Sequence, residues 1–299
     1  MRPTNSQTMF AAWISLVSNI LLTGIKFVIG FLFNSQVLIA DGVHNAGDVI
    51  ASGAALSSMR ISSRPADKEH PYGHGKAEVL GAAVVAVILA MAALFMAYHS
   101  FEVLLQAEPP EAHLLALAAA FVSLVWKQLL YLYTIRIGRQ LNSKGLIATA
   151  HDHLADVYAS IAAVAGIGCG LIGEYYDNPV LGFGDPVAGI IVSFLVMKLA
   201  YTMGRESFDI LMERNVAPEQ LEQYASLIRS VPEVRRIDRL RAREHGHYTI
   251  VDVRVAVPGT LTIQEGHDIA RTIKLSIMNA HRDVEEVLVH LNPWYEAKQ

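Results

Sequence analysis

The sequence predicts an α-helical membrane bundle of six transmembrane helices, followed by a small α+β domain with the order α-β-β-α-β. The chain has 299 residues, of which 53% are hydrophobic and only 17% charged, whereas soluble domains carry about 25% charged residues. Apolar segments long enough to span a bilayer recur until about residue 205, where the chain becomes charge-rich. We therefore expect a transmembrane domain over 1–207 and a cytoplasmic domain over 208–299.

The six predicted spans follow from hydropathy, and they cover 9–33, 36–59, 80–106, 112–136, 146–173 and 184–205. Lys and Arg occur in the second and fourth connecting loops and are missing from the first, third and fifth. The positive-inside rule then places both termini in the cytoplasm. No small-residue cleavage site follows the first apolar segment, so it is predicted to be a retained helix. Short loops and no targeting segment favour a bacterial inner membrane.

The last third of the chain alternates between two periods. Residues 217–231 and 261–280 have the apolar spacing of amphipathic helices. Residues 234–244, 248–257 and 284–292 alternate as strands do, and the turn sequence EHGH indicates a hairpin between the first two. This order fits a two-layer α+β domain.

Ionisable residues inside two of the predicted spans are the first functional signal, because such residues are costly in a membrane and are usually functional. His44 and Asp48 on the second span, and Asp152 and Asp156 on the fifth, are spaced i, i+4, so each pair shares one helix face. Facing each other, the pairs would offer one imidazole and three carboxylates, which suits a tetrahedral divalent ion.

Other polar residues of the spans are less informative. A lone buried histidine is often only a satisfied polar group, and the pairing of two motifs is what favours metal binding. Asp41, His151 and His153 flank the paired residues and could be supporting groups, helix-end groups or proton carriers. Single lysines in other spans receive no role; they are Lys26, Lys127 and Lys198.

Two further clusters lie outside the spans. Asp67, His70 and His74 lie close together in the loop RPADKEHPYGHGKAE and could bind zinc with a fourth position open, or could simply cap helices. Lys76, in the same loop, could pair with an acid near the sixth span, such as Asp209 or Glu213. The C-terminal domain carries dispersed candidate ligands, which could equally be ordinary surface residues; they are Asp238, His245, His247, His267 and His290.

Several classes of function are disfavoured. The slightly negative net charge of −4 gives no indication of nucleic-acid binding. The chain lacks a GxxxxGK[ST] phosphate loop, an HExxH motif and a GxSxG motif, so we do not expect an enzyme. The single cysteine, Cys169, lies in an apolar run and excludes an internal disulfide framework.

Six spans, acid and histidine pairs on the second and fifth, the HPYGHGKAE loop and the αββαβ domain together resemble the cation diffusion facilitator family, of the zinc and iron efflux type. The resemblance covers nearly the whole chain. It implies a homodimer in the lipid bilayer and a proton-coupled antiporter with a C-terminal dimerisation and regulatory domain. It also implies a divalent metal ion as cargo and as a structural or regulatory ligand, with Zn²⁺ expected first and Fe²⁺, Co²⁺, Mn²⁺ or Cd²⁺ as alternatives.

The resemblance also implies which residues bind metal. The transport site matches His44, Asp48, Asp152 and Asp156, and the loop site matches Asp67, His70 and His74. The C-terminal site matches only His267 and His290, with Asp238 at a position that is often histidine, while Asn292 and Arg254 replace family ligands. We therefore expect that site to be reduced or absent. Zinc exporters of this family often have histidine at the position of Asp152. With three carboxylates, this site is richer in oxygen ligands than theirs and is expected to accept harder cations.

The expected mechanism is alternating access, in which protons displace the metal from its ligands on the outer side. Two other functions remain open from the sequence. One is a divalent-ion channel or uniporter without proton coupling, and the other is a metal-binding membrane sensor or scaffold without transport.

Overall fold

A computed structural model describes residues 4–62, 64–106, 108–140 and 144–295, with side chains described for 13–50, 64–106, 108–140 and 149–295. Arg60 and Lys144, which contribute to the predicted orientation, lie outside the described side chains. The chain divides into two compact units. One comprises Met1–Ala55 with Val84–Gly204, and the other comprises Leu56–Ala83 with Arg205–Gln299.

Long helices make up the first part of the chain and confirm the predicted helical membrane domain. They are α1 (Thr4–Leu32), α2 (Gln36–Ser62), α3 (Lys76–Leu104), α4 (Leu114–Gln140), α5 (Lys144–Tyr175), the short α6 (Pro179–Gly182) and α7 (Gly184–Leu211). Within the described residues, five segments are long and apolar enough to cross a membrane, in α1, α3, α4, α5 and α6–α7. The remaining long helix, α2, coincides with the predicted second span and carries the ionisable residues.

The start of α2 is fixed by a carboxylate from another helix. The side chain of Asp185, in the first turn of α7, accepts a hydrogen bond from the Val37 backbone N–H at 2.9 Å and another from the Ser35 hydroxyl. The first backbone N–H groups of a helix have no partner within that helix, and Asp185 satisfies one of them in α2. This contact joins α2 to α7 at the end of α2 that precedes its metal-ligand candidates.

The C-terminal part forms the predicted α-β-β-α-β order, with α8 (Pro218–Arg229), β1 (Arg236–Glu244), β2 (Thr249–Pro258), α9 (Ile263–Ala280) and β3 (Val284–Trp294). The strand β2 is central, antiparallel to β1 and parallel to β3. Alternate residues of β2, such as Val251, Val253 and Val255, are buried together with apolar residues of both helices. The helices therefore cover one face of the sheet, and the small α+β domain is confirmed.

The loop 64–75 is held against the β1–β2 turn by close backbone approach. Gly75 lies against the His245 carbonyl group so closely that a Cβ atom would have no room. Gly246 has φ +77°, a left-handed conformation that favours glycine, and its Cα faces the backbone of Gly75. The Tyr248 hydroxyl also donates a hydrogen bond to the Tyr72 carbonyl oxygen. These contacts fix the segment that carries the predicted loop site.

The end of α7 has a Schellman arrangement with an unusual residue at its left-handed position. The Arg214 N–H donates to the Asp209 carbonyl at 2.9 Å and the Glu213 N–H donates to the Ile210 carbonyl at 3.0 Å. Glu213 has φ 59°, where glycine is preferred. Its carboxylate contacts Lys76 Nζ and Arg243 Nη1, both at 3.1 Å. The predicted pairing of Lys76 with an acid near the sixth span is therefore present.

We expect Glu213→Gln to lower stability by no more than about 1 kcal/mol at neutral pH, because exposed ion pairs contribute little. The hydrogen bond from Lys76 and the charge of Arg243 hold the pKa of Glu213 below its ordinary value of 4.5. A carboxylate whose pKa is depressed in the folded state stabilises the protein at pH values above its unfolded-state pKa. This contribution is lost as the pH falls through the folded-state pKa. Unfolding of the detergent-solubilised protein between pH 7 and pH 3.5 measures this difference.

The matched control is Glu233→Gln, which alters an exposed glutamate with no ion pair described. The stability of that variant should equal the stability of the unchanged protein at every pH. A difference for Glu213→Gln that stays constant down to pH 3.5 would show that its charge contributes nothing.

Candidate metal centre

Three of the four residues predicted for the transport site come together between α2 and α5. One ligand atom from each of His44, Asp48 and Asp156 lies within 4.8 Å of the others. His44 Nε2 is 3.1 Å from Asp156 Oδ1. His44 and Asp156 are buried, and Asp48 is partly buried. The group offers one imidazole nitrogen and two carboxylates, which divalent transition metals accept as ligands.

The fourth predicted residue, Asp152, lies outside this group and its side chain is exposed. The i, i+4 spacing places Asp152 and Asp156 on the same face of α5, but one turn separates them along the axis by about 6 Å. Sequence spacing therefore predicted the shared face and could not predict which of the two carboxylates meets α2.

Two buried lysines, which received no role in the sequence analysis, neutralise carboxylates of this region. Lys127 Nζ lies 2.5 Å from Asp156 Oδ2 and 2.8 Å from Asn19 Oδ1. Lys26 Nζ lies 2.7 Å from Asp41 Oδ2, and both of these side chains are fully buried. A lysine in the middle of a predicted span was the available signal, since buried charges require partners. Lys198, in contrast, is exposed.

The electrostatic balance of the site follows from these pairs. In their ordinary charge states, Lys26 and Lys127 neutralise two carboxylates, and Asp48 leaves one net negative charge. Because Asp156 contacts both His44 and Lys127, the ammonium group of Lys127 occupies part of the space around a candidate metal ligand. A divalent ion at this position must compete with that tethered cation.

The remaining polar residues of the two helices differ in their surroundings. His153 is buried, with Nε2 2.8 Å from Ser15 Oγ and Nδ1 3.8 Å from Asp156 Oδ2, whereas His151 is exposed. Asn45 is fully buried, and neither atom of its amide has a hydrogen-bond partner among the described residues. A buried amide without partners costs about 1–3 kcal/mol. Asn45 was not singled out from the sequence, although it is adjacent to His44.

The predicted loop site is also assembled. Ligand atoms of Asp67, His70 and His74 lie within 4.8 Å of one another. Asp67 Oδ1 is 3.3 Å from His70 Nδ1, and Asp67 Oδ2 is 3.4 Å from His74 Nε2. Hydrogen bonds from the His70 and Glu69 backbone N–H groups lower the pKa of Asp67. The carboxylate is therefore kept in the charged form that metal binding requires.

The C-terminal candidates do not meet in one group within the described part of the chain. Asp238 Oδ2 accepts a hydrogen bond from Asn292 Nδ2 at 2.8 Å, and His290 Nε2 lies 3.1 Å from Asn292 Oδ1. The bonds from Asn292 and Arg236 lower the pKa of Asp238. His267 is exposed on α9 and joins no described metal-ligand group. Asn292 thus links the other two residues by hydrogen bonds.

A helical membrane domain with ionisable side chains buried among its spans, joined to a small α+β domain, defines a membrane transport protein for cations. Residues 12–212 match the cation efflux transmembrane domain, and residues 216–294 match the cytoplasmic domain of cation efflux proteins. The chain belongs to the cation efflux family, also called cation diffusion facilitators, whose members are transporters and not enzymes.

Relatives of this chain include two manganese efflux proteins of Bacillus subtilis (strain 168). The manganese efflux system protein MneP is 42% identical over 285 residues, covering 95% of this chain and 96% of MneP. The manganese efflux system protein MneS is 30% identical over 282 residues, covering 94% of each chain. A solved structure of the MamM CTD is 22% identical and covers 26% of this chain and 95% of its own, with a TM-score of 0.25.

Proposed function

We propose that this protein exports divalent metal ions through a site formed by His44, Asp48 and Asp156, with Asp152 joining when metal is bound. The convergence of one imidazole and two carboxylates inside the membrane domain carries the proposal. The chain's membership of the cation efflux family supports it. Asp152 is one helical turn from Asp156, so a small change of α5 or of a side-chain rotamer would bring its carboxylate closer.

We favour Mn²⁺ over Zn²⁺ as the cargo, which revises the expectation from sequence. Carboxylate oxygens suit Mn²⁺, whereas zinc sites commonly contain more nitrogen or sulfur. The buried amide oxygen of Asn45 is a further hard donor on the same helix. The relatives MneP and MneS are described as manganese efflux proteins. Zn²⁺ remains the competing cargo because it binds more tightly than Mn²⁺ to most sites.

Proton antiport by alternating access is the mechanism we propose for this transport. Metal binding requires neutral imidazole and ionised carboxylates, so proton uptake by these ligands opposes metal binding. Histidine is the side chain that titrates closest to neutral pH, which makes His44 suitable for this exchange. The alternating loop charges support cytoplasmic termini, and the short loops favour a bacterial inner membrane. A C-terminal part that matches the cation efflux cytoplasmic domain supports a homodimer.

Metal sites outside the membrane domain are assigned differently. We propose that Asp67, His70 and His74 form a second, solvent-accessible divalent-metal site, since both imidazoles already face one carboxylate. We propose no metal site within one chain for Asp238, His267 and His290, because they form no metal-ligand group among the described residues.

Proteoliposomes with a pH-sensitive dye inside test the function and the cargo together. The unchanged protein should move Mn²⁺ and change the luminal pH in proportion. Asp152→His should shift competition toward Zn²⁺, because it replaces an oxygen donor with nitrogen. Metal flux that ignores an imposed pH gradient would indicate a uniporter, and binding without flux would indicate a sensor. If Asp152→His left the competition between Zn²⁺ and Mn²⁺ unchanged, the argument from ligand type would be contradicted.

A further inference from the structure

The open face of the C-terminal sheet carries a row of basic residues across all three strands. Arg239 on β1 is directly opposite Arg254 on β2, and Arg254 is paired in register with His290 on β3. Arg241 lies two residues further along β1 on the same face. These side chains line a cleft of about 370 Å³, which lies within the range of about 300–1,000 Å³ for small-molecule sites.

The arginine side chains of this cleft have no partner among the described residues. Within residues 144–295 and the other described ranges, no ion pair or side-chain hydrogen bond is described for Arg239, Arg241 or Arg254. The nearby carboxylate of Asp252 is engaged by another arginine, because Arg243 Nη1 lies 3.6 Å from Asp252 Oδ2. Three guanidinium groups therefore share one concave surface, and the only carboxylate described in its lining already faces a cation.

This arrangement is unfavourable for the domain by itself. Like charges directly opposite each other on adjacent strands destabilise a sheet, and Arg239 and Arg254 are such a pair. A second copy of the same face would oppose further positive charge. The same positive charge disfavours a cation at His290, which the sequence placed among the metal ligands. A bound anion would relieve both the repulsion between Arg239 and Arg254 and the repulsion of a second copy of this face.

The chemistry of the cleft specifies the kind of anion. A guanidinium group presents several N–H donors in a planar fork that matches phosphate and carboxylate oxygens. Three such groups can neutralise an anion of charge greater than one, and phosphate-type oxyanions combine that charge with many acceptor oxygens. We propose that this cleft binds a soluble small molecule carrying a phosphate or pyrophosphate group, with Arg239, Arg241 and Arg254 as its ligands.

Inorganic pyrophosphate is the probe that tests the site, titrated calorimetrically into the full-length protein in a neutral detergent at low salt. Binding should occur below millimolar concentration and weaken as salt is raised, because exposed charges are screened. Arg239→Ala and Arg254→Ala should each weaken binding at least tenfold. Arg271→Ala, which removes an exposed arginine on α9, is the matched control and should leave binding unchanged.

Stability provides a second readout that separates ligand binding from structural damage. Without pyrophosphate, Arg239→Ala should unfold at the same temperature as the native protein or higher, because a like-charge pair is relieved. With pyrophosphate, the native protein should become the more stable of the two. A lower unfolding temperature of the variant in both conditions would assign Arg239 a structural role and overturn the proposal.

Three other outcomes would also overturn the proposal. The first is no binding of pyrophosphate at millimolar concentration and low salt. The second is citrate binding as tightly as pyrophosphate, which would indicate unspecific attraction of anions. The third is loss of pyrophosphate binding in nanodiscs with phosphatidic acid but not in nanodiscs of phosphatidylcholine alone, which would make a lipid headgroup the occupant. None of these measurements depends on transport.

Discussion

Replacing Asp48 with alanine is expected to reduce metal transport in proteoliposomes to the background of empty vesicles, while the protein remains folded in detergent. Asp48 is the carboxylate of the group that neither lysine neutralises, so it supplies the net negative charge that attracts the cation. It also makes no described ion pair with a lysine or arginine, so its removal leaves no buried cation without a partner. Initial rates of Mn²⁺ uptake, with size-exclusion profiles as the folding control, measure the effect.

Asp152→Ala is the matched comparison, because it removes a predicted ligand that lies outside the assembled group. We expect slower transport with a weaker apparent affinity for Mn²⁺, but a rate clearly above that of Asp48→Ala. Uptake at the native rate by Asp48→Ala would refute the site, and equal loss in both variants would show that the four predicted ligands act together from the start of the cycle.

Replacing Lys127 with methionine is expected to tighten divalent-metal binding at least tenfold and to destabilise the metal-free protein. Two unit charges about 4 Å apart interact by about 4 kcal/mol at an effective dielectric constant of 20, so removing a cation beside Asp156 favours a second cation strongly. Asp156 would then be buried without its partner, which costs about 3–5 kcal/mol. Thermal unfolding with and without Mn²⁺ measures both effects, because tighter binding increases stabilisation by the ligand.

Two further lysine variants make the result interpretable. Lys198→Met removes an exposed lysine of α7 and should change neither binding nor stability. Lys127→Arg retains the charge and should keep the native metal affinity, even if its larger head group lowers stability. Unchanged Mn²⁺ affinity in Lys127→Met would show that the lysine does not compete with the metal and serves only the packing of α4.

The parts of the fold with a strong local signal were predictable from sequence. Each predicted span overlaps a long helix over most of its length. The capping box of α9, in which the Thr262 hydroxyl accepts from the Glu265 N–H at 3.3 Å, has its sequence signature. The C-terminal end of α7 was harder to predict. Glu213 occupies a left-handed position where sequence rules expect glycine, and its carboxylate bridges two cations that are distant in sequence.

The candidate site was likewise predictable only where the signal is local to one helix. Spacing within α2 and within α5 predicted which residues share a face, because that property is local to one helix. The pairs Lys26–Asp41 and Lys127–Asp156 join helices that are distant in sequence, and periodicity within a single helix does not contain that information. For the same reason, spacing within α5 did not predict that Asp156 rather than Asp152 meets His44.

The cap that Asp185 provides for α2 restricts how the membrane domain can move. Two of the candidate metal ligands lie on α2, and the start of this helix is anchored to α7 through Val37 and Ser35. During a transport cycle, α2 and α7 must therefore travel as a mechanically coupled pair, or the anchor must break and reform at each turnover. In the second case, Asp185 would set part of the barrier that limits the transport rate.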